Sequence, residues 1–318
     1  MNRRQFLATT AGTALAAPAF LHAEEKTPSP TAAPASPFKL AISSYSYWHF
    51  RTEKVTIEKV IDAAAELGVN GVDILHRQMD LEELGALKKE DHAYCQQLKR
   101  HAFRAGVDLV CLSIHQDFVS PNPAERHKWV AHTEKCIEIA YALGVPSIRL
   151  NSGRWKTIQD FDELMKARGE EPVLPGYQEE DGFNWCIESI GKCLETAQSR
   201  GVVLALENHW GLTRTPEGLL RILKEFDSPW LGALVDTGNF LEDPYDKIAA
   251  VASKAVFVQA KTYEGGGEWY TLDLDYPRIA KILREAGYHG YVSLEMEGKE
   301  APETAVPKAI AMLRAAFV

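Results

Sequence analysis

The chain is 318 residues long, 46% hydrophobic and 25% charged, with a formal net charge of −9. This composition excludes a disordered or collagen-like chain, and the acidic balance repels phosphate backbones, which argues against a nucleic-acid partner. The five cysteines stand apart from one another, so the sequence imposes neither a disulfide framework nor a cysteine-pair metal motif.

In chain order, Arg3-Arg4 precede a small apolar run over residues 8–20, with cleavage positions after Ala19 or Ala23. That is the pattern of a twin-arginine export signal. The run is broken by Pro18 and is shorter than the roughly 20 residues that span a bilayer, so no stable membrane anchor is expected. Residues 1–23 therefore predict a periplasmic or otherwise extracytoplasmic protein. Removing them takes away two arginines and no acid, leaving 33 basic against 44 acidic side chains and a net charge of −11. Residues 24–37 are dominated by Pro, Ala, Ser and Thr, too poor in large apolar side chains to pack, and read as a flexible linker.

From residue 38 to 318 short apolar runs alternate with longer segments of helical period. Strands are predicted over residues 40–44, 71–75, 108–113, 147–151, 202–207, 232–236, 255–259 and 291–295. The helices between them are predicted over 57–67, 92–105, 124–143, 183–200, 216–226, 245–252, 276–286 and 302–317. Gly68, Gly106, Gly144, Gly201 and Gly287 each follow a helical segment, where a left-handed residue ends a helix. Eight repeats of one βα unit close most simply as a single-domain (β/α)₈ TIM barrel. An open doubly wound sheet is the alternative, but the first turn lacks a glycine-rich phosphate fingerprint. The long insertion over residues 152–181 reads as a lid or a disordered loop.

Catalytic groups of such barrels sit where strands end at the C-terminal face. The last four apolar runs close on Glu207, Asp236, Gln259 and Glu295. Three crowded carboxylates repel one another and are costly to bury unpaired, so a compensating cation is the natural resolution. Oxygen ligands favour a hard divalent ion, with Mn²⁺ preferred over Mg²⁺ or Co²⁺, and these four residues are its candidate ligands. The competing reading gives each acid a Lys or Arg partner at the rim.

The segments Leu206-Glu207-Asn208-His209, Val235-Asp236-Thr237-Gly238-Asn239, Val258-Gln259-Ala260-Lys261 and Gly287-Tyr288-His289-Gly290, leading to Glu295, resemble the xylose-isomerase-like sugar phosphate isomerase/epimerase superfamily across residues 38–318. The resemblance implies a metal held by Glu207, Asp236, Gln259 and Glu295. Two positions depart from the ketose epimerases of that superfamily: Asn239 stands where they usually carry histidine, and Lys261 is the only basic residue between 260 and 267, where they usually carry arginine. Gln259 in place of histidine is similar to the hydroxypyruvate isomerase and dehydroshikimate dehydratase branches. The additional histidines that the related apurinic endonucleases need for three zincs are missing, which again argues against a nuclease.

The resulting expectation is a sugar isomerase or epimerase that transfers a proton next to a carbonyl through a metal-stabilised enediolate, with Glu207 and Glu295 as the proton-transfer pair. His209, Lys261, His115, His76 and Trp48 are candidate substrate contacts, with Tyr45 and Tyr47 beside Trp48 available to stack on a sugar face. Arg149 reads as a structural ion pair, Glu297 as a neighbour of the site, and His127, His132 and His289 as ordinary helix or loop residues. The alternatives are a dehydratase or lyase eliminating from a keto-sugar or keto-glycoside, and a non-catalytic carbohydrate-binding barrel. The expected partner is a small carbohydrate, and a homo-oligomer is compatible with the fold.

Overall fold

The computed structural model describes residues 36–50 and 52–318; the expected export signal and all but the last two residues of the linker lie outside them. Eight parallel strands close into a barrel in chain order: β1 (Lys39–Ser43), β2 (Gly71–Leu75), β3 (Asp108–Ser113), β4 (Ser147–Leu150), β5 (Val203–Glu207), β6 (Leu231–Asp236), β7 (Ala255–Thr262) and β8 (Tyr291–Met296). Closure is made where β1 pairs with β8, Ile42 opposite Leu294. The helices are α1 (Ile57–Glu66), α2 (Lys89–Ala105), α3 (Pro123–Leu143), α4 (Phe161–Lys166), α5 (Glu179–Arg200), α6 (Pro216–Lys224), α7 (Pro244–Ala252), α8 (Tyr276–Glu285) and α9 (Pro302–Phe317).

Alternation along each strand divides the apolar residues into two cores. Outward residues such as Ile42, Val72, Ile148, Leu204, Val258 and Leu294 join the helices in one continuous sleeve. Inward residues Ala41, Cys111, Ala205, Leu234 and Phe257 form a separate small cluster that plugs the barrel. Two residues further along the same strands, the inward positions become Ser43, Ser113, Glu207, Asp236 and Gln259, all buried. The barrel therefore has an apolar plug with a polar layer directly above it.

Local capping sets several boundaries. Asn122 Oδ1 accepts from the Ala124 N–H, and Thr56 caps α1 through the Lys59 N–H. Helices α2 and α5 begin earlier than their apolar pattern suggests, because Asp91 and Asp181 reach back to the N–H groups of Lys88 and Gln178, each at 2.8 Å. The five helix-ending glycines all take positive φ. The insertion after β4 contains α4, whose Leu164 and Met165 pack with Trp210 in a third apolar cluster, joined by Trp269 and Tyr270. At Gly153 in that insertion, φ is 96° and a Cβ would meet the Phe118 nitrogen at 2.7 Å, so only glycine fits. All five cysteines are free and buried. Among the described residues, no helix is long and apolar enough to cross a membrane.

Candidate active site

The polar layer continues toward the C-terminal mouth with the same period of two. Beyond Ser43, Ser113, Glu207, Gln259 and Glu295, the residues Tyr45, His115, His209, Lys261 and Glu297 line a cavity of about 260 Å³. Strand β7 runs three residues past its predicted end, to Thr262, which puts Lys261 on the strand itself, paired in register with Glu295. Phe50, Phe161, Met165, Trp210, Trp269 and Tyr270 supply apolar and aromatic walls.

Two buried cations sit among the acids. The Lys261 ammonium lies 3.2 Å from Asp236 Oδ2, 3.4 Å from Glu295 Oε2 and 3.4 Å from Glu297 Oε2. Arg149 lies 3.6 Å from Glu207 Oε2 and 3.8 Å from Glu295 Oε1, and its Nη2 is 3.2 Å from His115 Nε2. Asn151 donates to Glu207 Oε2 at 2.8 Å, and Asn239 donates to Glu207 Oε1 at 3.2 Å while accepting from Lys261 at 3.0 Å. The Gly238 N–H donates to Asp236 Oδ1 at 2.7 Å. Asp73 accepts from Ser113 at 2.7 Å and from the Gln259 amide at 2.8 Å.

Five carboxyl groups, of Asp73, Glu207, Asp236, Glu295 and Glu297, thus share two cations. Burial pushes Glu207 up to about 7 against the pull of Arg149, and Glu295 adds to the rise. Burial likewise raises Asp236 well above the carboxylate range despite Lys261, and raises Asp73 to about 6. Glu295 goes the other way: burial opposes its charge, but Lys261 and then Arg149 outweigh it and hold it below its ordinary value. Lys261 stays charged in spite of burial because Asp236 and Glu297 face it. Burial, then Arg149, depresses both His115 and His209 far below the usual imidazole range, so both are neutral.

Of the four expected ligands, Glu295 lines the cavity, while Glu207, Asp236 and Gln259 are buried in its floor. Their oxygens suit a hard divalent cation. Asp236 Oδ2 makes no hydrogen bond, and Gln259, held through its amide nitrogen by Asp73, leaves Oε1 buried without a partner. An ion taken up here would compete with Lys261 for Asp236 and Glu295. Acid–base pairing, the competing expectation, is therefore real but incomplete.

Among the other expected contacts, Lys261, His115 and His209 line the cavity. Trp48 instead lines an adjoining chamber of about 390 Å³, together with Tyr47 and His49, that shares Tyr45, Trp269 and Glu297 with the first. His76 is corrected as a cavity residue: Leu75 lines the cavity, and His76, one residue on, faces the helix layer, its ring 5.4 Å from that of His132. Sequence reasoning missed Asp73, Asn151 and the bridging role of Asn239. Two of these carry a signal: Asp73 is an acid in the middle of the apolar strand Gly71-Val72-Asp73-Ile74-Leu75, and Asn151 is the polar residue that closes the run over residues 147–151.

The fold is shared with solved sugar epimerases. A 3-keto-D-glucoside 4-epimerase from E. coli superposes with a TM-score of 0.66 at 16% identity, covering 88% of this chain and 99% of that one. A D-psicose 3-epimerase from Clostridium cellulolyticum gives 0.66 at 17% identity, covering 88% and 99%. At the sequence level, an uncharacterized protein of Methanocaldococcus jannaschii is 25% identical over 231 residues, 63% of this chain and 77% of that protein. Residues 61–316 match the family model described as xylose isomerase-like TIM barrel, and the chain belongs to that family.

Proposed function

We propose that this protein is a sugar isomerase or epimerase that moves a proton on a carbon next to a carbonyl, using Glu295 and Glu207. One observation carries the reading: two carboxyl groups from the ends of β8 and β5 meet the same buried Arg149, one facing the cavity at the barrel mouth and the other beneath it, with Lys261 alongside. Glu295, held ionised, removes the proton. Glu207 returns it, which makes conversion depend on both carboxyls. Lys261 lies against the same oxygens and stabilises negative charge developing on the substrate oxygen, while neutral His115 and His209 hydrogen-bond hydroxyl groups. The residues that would hold a divalent ion are Glu207, Asp236, Glu295 and Gln259. Such an ion, with Mn²⁺ preferred, would polarise the carbonyl.

The paired chambers favour a two-part substrate. A sugar ring over Glu295 leaves the aromatic chamber of Trp48 and Tyr47 for an aglycone, so keto-glycosides are preferred to free ketoses. The shared fold with the E. coli 3-keto-D-glucoside 4-epimerase supports that substrate class. The Arg3-Arg4 signal adds the proposal that the enzyme works outside the cytoplasm, which cell fractionation tests.

The enzymatic test is incubation of 3-keto-glucosides and free ketoses in D₂O, with products read by NMR. Deuterium entering next to the carbonyl together with an epimer or isomer supports the proposal. An unsaturated product instead assigns the elimination reading. Tight binding with neither exchange nor turnover in metal-supplemented protein assigns a carbohydrate-binding role.

A further inference from the structure

Away from the barrel mouth, where the turn leaving β2 meets the middle of α3, His76, His132 and Cys136 face one another. All three are buried, and one ligand atom from each lies within 4.8 Å of the others. Residues 132 and 136 share a face because they are four apart on one helix. His132 Nδ1 lies 2.9 Å from the Glu83 carbonyl oxygen, to which it can only donate, so the proton sits there and Nε2 is left as a lone pair. That lone pair lies 3.7 Å from Cys136 Sγ. Ligating histidines are oriented this way in metal sites, one ring nitrogen donating to a carbonyl while the other binds the ion.

His76 supplies the independent observation. Both of its ring nitrogens are buried, and neither has a hydrogen-bond partner. A buried imidazole without partners is costly unless something absent from the polypeptide satisfies it.

We propose that His76, His132 and Cys136 bind a thiophilic transition-metal ion, with Zn²⁺ as the fitting ion, at a site separate from the carboxylate layer. Bonds of about 2.0–2.1 Å to nitrogen and about 2.3 Å to sulfur set tetrahedral N···S distances near ~3.5 Å, close to the 3.7 Å between His132 and Cys136. Drawing His76 in requires a shift of about an ångström by a ring that has no hydrogen bond to break. On binding, the Cys136 thiol loses its proton to solvent and the sulfur lone pair forms the metal bond. The fourth position is left to water. Since Leu75 lines the cavity and His76 follows it, the ion would pin that wall to α3. The two sites differ in donor chemistry, nitrogen and sulfur here against oxygen at the mouth.

Cobalt separates them. The full chain is expressed with Co²⁺ as the added transition metal, because a buried site fills as the protein folds. The expected result is a thiolate-to-cobalt charge-transfer band in the near ultraviolet, present in the wild type and retained in the Glu207→Gln/Glu295→Gln variant. The band should vanish in Cys136→Ser protein that keeps the wild-type far-ultraviolet circular dichroism. If that variant does not fold, His76→Gln carries the test, since it keeps the thiol and should lose the band at a cobalt concentration that saturates the wild type. No band in the wild type, with or without bound cobalt, overturns the proposal, as does a band that survives in Cys136→Ser or is undiminished in His76→Gln.

Discussion

The two halves of the barrel fill the same layer with different chemistry. Near their ends, strands β5 to β8 contribute Glu207, Asp236, Gln259 with Lys261 just beyond it, and Glu295, whereas β1 to β4 contribute Ser43, Asp73, Ser113 and Arg149. One half concentrates charge; the other supplies small hydroxyls, one carboxyl and a single long cation that reaches across to Glu207 and Glu295. Charge placed on one side of a mouth gives a substrate a reactive face and a neutral face. The comparison predicts that substitutions in the second half disturb the chemistry mainly through Arg149.

The largest effect is expected where charge meets the cavity. Glu295→Gln should reduce turnover by about 10²–10⁴-fold and abolish deuterium wash-in, because it removes the group proposed to take the proton. Glu207→Gln should suppress conversion to a similar degree yet retain wash-in, since the first proton transfer survives. Wild-type turnover in both variants would break the assignment, and wash-in lost equally in both would reverse or merge the two roles. Ser113→Ala, from the neutral half, should fall well short of either in the same assay.

Arg149→Met is next. It leaves Glu207 and Glu295 buried without their shared partner, and removing one member of a buried ion pair typically costs about 3–5 kcal/mol. Urea unfolding measures this. A loss below about 1 kcal/mol, the range of exposed pairs, would mean that Arg149 does not join the halves electrostatically.

A smaller effect is expected at Gly238, where an added Cβ would meet the Lys261 Cβ at 2.7 Å and the Tyr263 hydroxyl at 2.5 Å. The Lys261 Cβ is fixed to the β7 backbone, so the strand and the side chain it carries must shift. Gly238→Ala should cost about 1–3 kcal/mol in thermal unfolding, as overpacking does. It should also weaken substrate binding by moving the ammonium.

These positions show what a one-dimensional reading recovers. Glu207, Asp236, Gln259 and Glu295 are legible because each closes an apolar run, and strand alternation turns all four inward. Asp73 is not, although it lies in the same layer. Its strand is staggered relative to its neighbours, with a register irregularity between Val72 and Asp73 against β3, so depth in the barrel does not equal position in the strand. Once Asp73 is recognised as inward, alternation makes Leu75 a cavity residue and sends His76 outward. Lys261 was identified as a residue but not as part of β7, since its charge hid the continuation of a strand it shares with Glu295. Asn151 closes the run over residues 147–151 as Gln259 closes its own, and Asn239 marks a departure from the ketose epimerases, but neither position states what its amide touches, which for both is Glu207.

The smallest effect expected concerns the two histidines that follow β3 and β5. His115, two residues past the end of β3, is partly exposed to the cavity; burial disfavours its charge, and Arg149, Arg77, His209 and His76 add to the effect. Its folded value lies below its unfolded value near 6.5, so as pH falls through that value the unfolded chain takes up a proton that the folded protein refuses. Stability must then decline on the acid side, by at most ~1.4 kcal/mol per pH unit for one such group. Replacing His115 by Asn removes that contribution, so the stability curve between pH 6.5 and 5 should be flatter than in the wild type, with little change at pH 8. Because His209, after β5, is likewise depressed by burial and then by Arg149, with Lys261 and Arg154 adding to it, a His209→Asn variant should flatten the curve in the same direction. Equal slopes in the wild type and both variants would mean that these imidazoles accept protons freely in the folded state, and the mouth would be more polar than its aromatic walls and paired charges require.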